Sequence, residues 1–177
     1  MSKKLTVILG AGASYSQNPD PKALDDQNYR PPLTHDIFTT SRSFAAILHK
    51  YPLAETLASD INLRIRQNRA GVGLEQILKL YEERLTRGED SHITRQFLQI
   101  PLYLNDLFGE ISQHFTPQPD EYNTLVNHVL DKTDQVLFLT LNYDTLLETP
   151  LVRLFSKDFS DISHYTSNPK WMLLKFH

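Results

Sequence analysis

The sequence predicts an α/β fold with a mainly parallel sheet and a large helical insertion. Three short apolar runs of β type span residues 5–9, 136–141 and 171–176, and segments with helical periodicity separate them. The second run is apolar apart from one threonine, which is typical of a strand buried on both faces of a parallel sheet. Strand, helices, strand, helix, strand is the order of a Rossmann-like doubly wound sheet.

The first apolar run ends in a glycine turn, within the sequence LTVILGAGAS at residues 5–14. Glycines at 10 and 12 let the backbone approach a ligand's phosphates, and the N–H groups that follow supply hydrogen-bond donors. The full dinucleotide motif needs a small residue where this chain has Tyr15, and no Gly-Lys-Ser/Thr of a P-loop follows. Two interpretations stay open: a nucleotide site, and a strand-to-helix turn that binds nothing.

Residues 17–32 are polar, contain four prolines and show no periodicity, so they predict a loop. A long loop in a compact domain is often functional, for instance as a lid over a ligand, and the alternative is a disordered insertion. Thr34 is typical of an N-cap, and a helix is expected from His35 to about Lys50, ended by Pro52.

The helical insertion is expected at residues 53–131. Helical spacing of apolar residues predicts two helices separated by Gly71 and Gly73, followed by a longer helix with a heptad-like seam and Pro101 inside it. The seam suits either an oligomer contact or packing within the chain's own helical bundle. Asp120 is expected to cap a further helix, whose apolar face carries Tyr122, Leu125, Val126, Val129 and Leu130.

The last third of the chain predicts a short helix at residues 146–151, interrupted by Pro150, and then the third strand. Ligands of such sheets collect beyond the carboxyl ends of the strands. Three features follow strand ends in this sequence: residues 10–14, the triplet Asn142-Tyr143-Asp144, and His177. Taken singly, an Asn-x-Asp also suits a turn or a helix cap, and one histidine also suits a structural role.

Composition excludes several kinds of site. The chain has no cysteine among its 177 residues, which excludes disulfides, a thiol nucleophile and cysteine-bound zinc, and fits a reducing, cytoplasmic setting. The net charge of −3 does not indicate the basic surface that nucleic-acid binding needs. The apolar runs are too short for a signal peptide or a membrane span. The other six histidines are scattered, so no metal site is predicted.

Four motifs together carry a family resemblance: GAGAS at 10–14, PPLTHD at 31–36, TLNYD at 140–144 and KFH at 175–177. In their order and spacing the chain resembles the sirtuin-like family of bacterial anti-phage defence. The resemblance implies a Rossmann-like sheet that binds NAD as a substrate and breaks the bond between nicotinamide and ribose, with no metal. It also implies a cytoplasmic protein that works as a homo-oligomer or with other defence-system subunits.

The resemblance implies a role for each matching position. Asn142 corresponds to the asparagine that orients the ribose or a water, Asp144 to the acidic residue on the nicotinamide side, and His177 to the catalytic histidine. The remaining matching positions would bind the NAD pyrophosphate and the adjoining ribose or line the same pocket. They are Gly10, Ala11, Gly12, Ala13, Ser14, Thr34 and Asp36.

The chain departs from this family at two points. Sirtuin deacylases carry a zinc ribbon built on four cysteines, so the absence of cysteine argues against protein deacylation. In the family a glycine and further strands follow the histidine, and this sequence ends at His177. This departure predicts a domain that is incomplete at its C-terminus, and that by itself binds NAD weakly and cleaves it poorly.

Three functions agree with these features to different degrees. The first is an NAD glycohydrolase of a defence protein, which depletes NAD. The alternative is a catalytically inactive module for nucleotide binding or oligomer assembly. A Rossmann dehydrogenase fits less well, because the acidic residue that closes its second strand would fall in the proline-rich loop, about twenty residues after the glycines.

Overall fold

A computed structural model of the chain describes residues 2–20, 29–38, 42–67, 74–88, 91–118, 120–156 and 158–176. These residues form a mixed α/β structure with a three-stranded parallel sheet and seven α-helices. The strands are β1 (Lys4–Leu9), β2 (Gln135–Thr140) and β3 (Trp171–Lys175). The helices are α1 (Ala11–Tyr15), α2 (Arg42–Leu48), α3 (Pro52–Gln67), α4 (Leu74–Thr86), α5 (Ser91–His114), α6 (Glu121–Lys132) and α7 (Glu148–Phe155).

The chain divides into two compact units. The first comprises Met1–Pro31 and Ser112–His177, and it holds the sheet with α1, α6 and α7. The second, Pro32–Ile111, holds α2, α3, α4 and most of α5. The predicted insertion at 53–131 overlaps this second unit, but both of its bounds lie later in the chain. Helix α6, which was placed in the insertion, belongs to the unit with the sheet.

The sheet of the first unit has the order β1-β2-β3, with all strands parallel. Both hydrogen-bond ladders continue one residue past β2 and β3, where Leu141 N donates to Leu9 O at 3.0 Å and Phe176 N donates to Thr140 O at 3.0 Å. The expected parallel sheet is thus confirmed. The described strands keep sequence order, without the reversal that defines a doubly wound sheet. That finer arrangement stays a prediction.

The two faces of this sheet differ in burial. Val136, Phe138, Trp171 and Leu173 are buried on one face. Residues on the other face are exposed or half-buried in the described structure: Ile8, Leu137, Leu139, Met172 and Leu174. The prediction that β2 is buried on both faces is therefore wrong for the part of the chain that the structure describes. The second face of β2 is apolar in sequence, but the described residues cover it only in part.

The helices of the first unit largely follow the sequence. Asp120 caps α6 as predicted, because its Oδ1 accepts from Asn123 N at 2.9 Å. Pro150 was expected to interrupt the helix after β2, and that expectation is wrong. The proline lies in the first turn of α7, where a backbone N–H has no carbonyl partner within the helix.

The second unit departs from the sequence at its start. A single helix from His35 to Lys50 was expected, and the structure has a 3₁₀ helix at Thr34–Asp36 and then α2. Leu33 holds the N-cap position of the 3₁₀ helix, so the prediction of Thr34 as N-cap is wrong. Pro52 is the first residue of α3, a position that suits its fixed φ and missing N–H.

The core of the second unit lies between its helices. The seam of α5 buries Ile100, Leu107 and Ile111, which supports packing within the unit as the reason for the heptad spacing. Helix α5 continues through Pro101. In the described part of the chain, no helix is long and apolar enough to cross a membrane.

Candidate functional site

The backbone after β2 directs two polar side chains inward. Asn142 and Asp144 are each only 5% exposed, whereas Leu141 and Tyr143 beside them are exposed. Local hydrogen bonds fix this alternation, because Asn142 N donates to Thr140 Oγ1 and Leu146 N donates to Asp144 Oδ1, each at 3.1 Å. Such side-chain to backbone bonds are typical of turns that begin with Thr or Asp.

The glycine turn after β1 is open on its outer side. Gly10 has an extended backbone, with φ −123° and ψ −179°, and Gly12 lies within α1. A Cβ atom built at either position would meet no described atom within 4 Å. Neither backbone strain nor packing within the described structure therefore requires glycine here. The open space leaves room for a ligand to approach the backbone.

Three buried side chains form a hydrogen-bonded network beside this turn. Asn142 Nδ2 donates to Ser14 Oγ at 2.8 Å and to the Tyr122 hydroxyl at 3.3 Å. Ser14 Oγ and the Tyr122 hydroxyl lie 2.9 Å apart. Asn142 Oδ1 is buried and has no hydrogen-bond partner among the described residues. An unpaired buried carbonyl costs about 1–3 kcal/mol, so a hydrogen bond donated to this oxygen by a ligand or a water would be stabilising.

A buried ion pair lies next to the network. Lys175 Nζ donates to Glu148 Oε1 and to the backbone carbonyl of Asp144, each at 2.7 Å. Burial raises the pKa of the Asp144 carboxyl, and the Ser14 hydroxyl, the Leu146 N–H and Lys175 oppose this rise. Burial also raises the pKa of Glu148, against the opposing effect of Lys175. With both carboxyls ionised, the three side chains carry one net negative charge.

Gln17 joins the two helices that supply Ser14 and Tyr122. Its Nε2 donates to the carbonyl of Ala13 in α1, and its Oε1 accepts from the N–H of Glu121 in α6, each at 3.2 Å. The Gln17 side chain is only 3% exposed. This bridge holds the start of α6, and with it Tyr122, against the end of α1.

The structure brings together part of the predicted site. Ser14, Asn142 and Asp144 meet at the carboxyl end of the sheet, and residues 10–13 form the turn that leads into Ser14. Thr34 and Asp36 belong to the second unit, so their place in the pocket stays a prediction. His177 lies outside the described residues, and its role also stays a prediction.

Sequence reasoning assigned no site role to Tyr122, Glu148 or Lys175. Tyr122 was predicted only as part of the apolar face of α6, because nothing local in the sequence pairs it with Ser14 or Asn142. Glu148 had a visible signal: it is a carboxylate among the leucines of the stretch at 146–151. A charged residue at a core position usually has a buried partner.

Within the described residues, no group of three or more His, Asp or Glu side chains is placed to hold a metal ion. Comparison of the chain with models of protein families and with curated proteins finds no match.

Proposed function

We propose that this chain is the NAD⁺ glycohydrolase module of a bacterial anti-phage defence protein, built on a Rossmann-like sheet, with its site at Ser14, Asn142 and Asp144. The observation that carries the proposal is the Asn142 carboxamide beside the glycine turn, with its Nδ2 bound and its Oδ1 buried and without a partner among the described residues. The resemblance of the four sequence motifs to the sirtuin-like family supports the same function.

The proposed reaction breaks the bond between the nicotinamide nitrogen and C1′ of the ribose. The bonding electron pair leaves with nicotinamide, which becomes neutral, and the ribose gains oxocarbenium character. A water adds to C1′ and gives up one proton, so the products are nicotinamide, ADP-ribose and a proton. The protein must orient the sugar, admit one water and stabilise positive charge on the ribose.

The described side chains suit these tasks. Asn142 Oδ1 can accept a hydrogen bond from a ribose hydroxyl or from the attacking water, and it is held in place by donors on the same side chain. When Asp144 and Glu148 are both ionised, they carry one net negative charge together with Lys175, and this charge favours a cationic centre nearby. The resemblance assigns proton transfer to His177. It also assigns pyrophosphate binding to residues 10–14, where the glycine turn independently suits phosphate binding.

The proposal is tested by incubating the purified chain with NAD⁺ and separating the products by chromatography. We expect nicotinamide and ADP-ribose in equal amounts. Binding of NAD⁺ without cleavage would contradict the hydrolase and favour the non-catalytic nucleotide-binding module. A chain that neither binds nor cleaves NAD⁺ would indicate that the glycine turn is a purely structural element.

A further inference from the structure

We infer that Tyr122 is a positioning residue, whose hydroxyl fixes the orientation of the Asn142 carboxamide so that Oδ1 faces the substrate. The inference rests on the proposed function and adds to it a residue from a helix that carries none of the sequence motifs. Tyr122 lies on α6 and is 1% exposed, and its hydroxyl is within hydrogen-bond distance of both Ser14 and Asn142.

One assignment of hydrogens gives every donor in this network an acceptor. In this assignment the Ser14 hydroxyl points to the Asp144 carboxyl, whose pKa it lowers as a hydrogen-bond donor. The Tyr122 hydroxyl then donates to Ser14 Oγ, which lies 2.9 Å away. The two hydrogens of Asn142 Nδ2 go to Ser14 Oγ and to the Tyr122 oxygen. Asn142 Oδ1 is the polar atom left for an external donor.

This assignment determines which end of the carboxamide faces the network. Because the hydrogens of Ser14 and Tyr122 are both directed elsewhere, each oxygen presents only lone pairs to Asn142. Lone pairs attract the N–H end of a carboxamide and repel its carbonyl end, so a flipped Asn142 is disfavoured. Burial raises the pKa of Tyr122 to about 12, so the hydroxyl keeps its hydrogen at neutral and mildly basic pH.

The substitution Tyr122→Phe removes the hydroxyl and keeps the ring, so it leaves no large cavity in the core. The Asn142 carboxamide should become more mobile in this variant. Asn142 Nδ2 would lose one of its two acceptors, and Ser14 Oγ would lose the hydrogen bond that it accepts from Tyr122. Tyr103 provides a matched control: it is also fully buried, and its hydroxyl donates to the carbonyl of Ile37 in the second unit.

The test compares Tyr122→Phe with Tyr103→Phe in the full chain. We expect Tyr122→Phe to lower kcat for NAD⁺ cleavage at least about tenfold with KM changed less than about twofold, because misplaced groups slow chemistry more than binding. Tyr103→Phe should leave both constants within about twofold of the wild type. In ¹⁵N NMR spectra, the Asn142 side-chain amide signals should shift in Tyr122→Phe and stay unchanged in Tyr103→Phe.

The NMR measurement separates this inference from the proposed function. A wild-type chain that does not cleave NAD⁺ contradicts the proposed function, and the Asn142 signals still report whether Tyr122 holds the carboxamide. Unshifted Asn142 signals, or an unchanged kcat in Tyr122→Phe, would overturn the inference. If Tyr122→Phe does not fold, a nuclear Overhauser effect between the Asn142 amide hydrogens and the Tyr122 ring tests the contact in the wild type, and its absence overturns the inference.

Discussion

Gly12 is a residue whose identity the described structure does not explain by itself. It lies within α1, where glycine is less favourable than alanine by about 0.5–1 kcal/mol. Its backbone does not have a positive φ, and the space where a Cβ would lie is open. Close approach of a ligand to the backbone is the explanation that agrees with the proposed nucleotide site.

We therefore predict that Gly12→Ala separates folding from binding. The free energy of unfolding should stay the same or rise by up to about 1 kcal/mol, because alanine favours the helix. The affinity for NAD⁺ should fall at least about tenfold, because the new methyl group occupies the space of the pyrophosphate. Thermal unfolding and titration calorimetry measure the two effects.

Gly109→Ala is the matched control, since Gly109 also lies within a helix and has open space where a Cβ would be. It should leave NAD⁺ binding unchanged. Wild-type affinity in Gly12→Ala would show that no ligand approaches the turn.

Individual site residues were predictable where strand ends and motif spacing point to them. Asn142, Asp144 and Ser14 follow apolar runs, so the sequence alone predicts that they meet at one edge of the sheet. Tyr122 was not predictable as a site residue, because its contact with Ser14 joins positions 108 residues apart. Its apolar neighbours on α6 are sufficient to explain it as a core residue.

At the scale of elements, the Lys175–Glu148 pair connects the end of β3 to the first turn of α7. The side chains are 14% and 5% exposed, so the pair is largely removed from water. Removing one partner of a buried pair leaves an uncompensated charge, which costs about 3–5 kcal/mol. Lys175 also donates a hydrogen bond to the carbonyl of Asp144, so it contacts the loop after β2 as well as α7.

We predict that Lys175→Met lowers the free energy of unfolding by about 3–5 kcal/mol at pH 7. Since burial raises the pKa of Glu148 above its value of 4.5 in the unfolded chain, the folded state holds the proton more tightly. Protonation therefore stabilises the fold at low pH, and this contribution is lost as pH rises through the folded pKa. The difference in unfolding free energy between Lys175→Met and the wild type should therefore shrink as the pH falls toward 4.5, the pKa of Glu148 in the unfolded chain. Denaturant titrations at several pH values would measure this difference.

Two further variants control this experiment. The double variant Lys175→Met/Glu148→Gln should recover much of the lost stability, because it removes both charges. Arg64→Met breaks an ion pair whose side chains are 51% and 43% exposed, and it should cost less than about 1 kcal/mol. A cost for Lys175→Met as small as that for Arg64→Met would contradict a buried pair.

Elements with strong periodicity were predictable, and those that depend on local geometry were not. The three strands and α6 with its Asp120 cap agree with the sequence to within about a residue. One helix was expected from His35 to about Lys50, and a 3₁₀ helix at Thr34–Asp36 and helix α2 lie there. Ile37 and Phe38 form a turn directly after the 3₁₀ helix, and neither is a glycine or a proline, so the sequence does not signal the end of that helix.

At the scale of the whole molecule, the unequal faces of the sheet predict unequal sensitivity to substitution. Leu173 and Met172 are neighbours on β3 and point to opposite faces, with exposures of 0% and 44%. Leu173→Ala should cost about 2–5 kcal/mol in unfolding free energy, because it leaves a cavity in the core. Met172→Ala should cost less than about 1 kcal/mol, since surface substitutions have small effects. Similar losses in the two variants, measured by denaturant titration, would contradict a sheet covered on one face.

The sequence predicts the sheet better than it predicts what surrounds it. Alternation and apolar runs indicate strands, and the crossover helices between them indicate parallel pairing. Neither signal says how far each face is covered, because Leu137 and Leu139 would suit a covered or a partly exposed face equally. The heptad spacing of α5 likewise indicates an apolar seam without naming the helices that pack on it.

The most direct measurement for the proposed function is the rate of nicotinamide release by the wild-type chain, Asn142→Ala and Asn127→Ala. Asn127 is an exposed residue on α6 whose hydrogen bonds to described residues stay within its own helix, so it controls for loss of an asparagine. We predict a loss of at least about a hundredfold in Asn142→Ala with the fold intact, and a rate within about twofold of the wild type in Asn127→Ala. A wild-type rate in Asn142→Ala would contradict the role of the Ser14, Asn142 and Asp144 cluster in NAD⁺ cleavage.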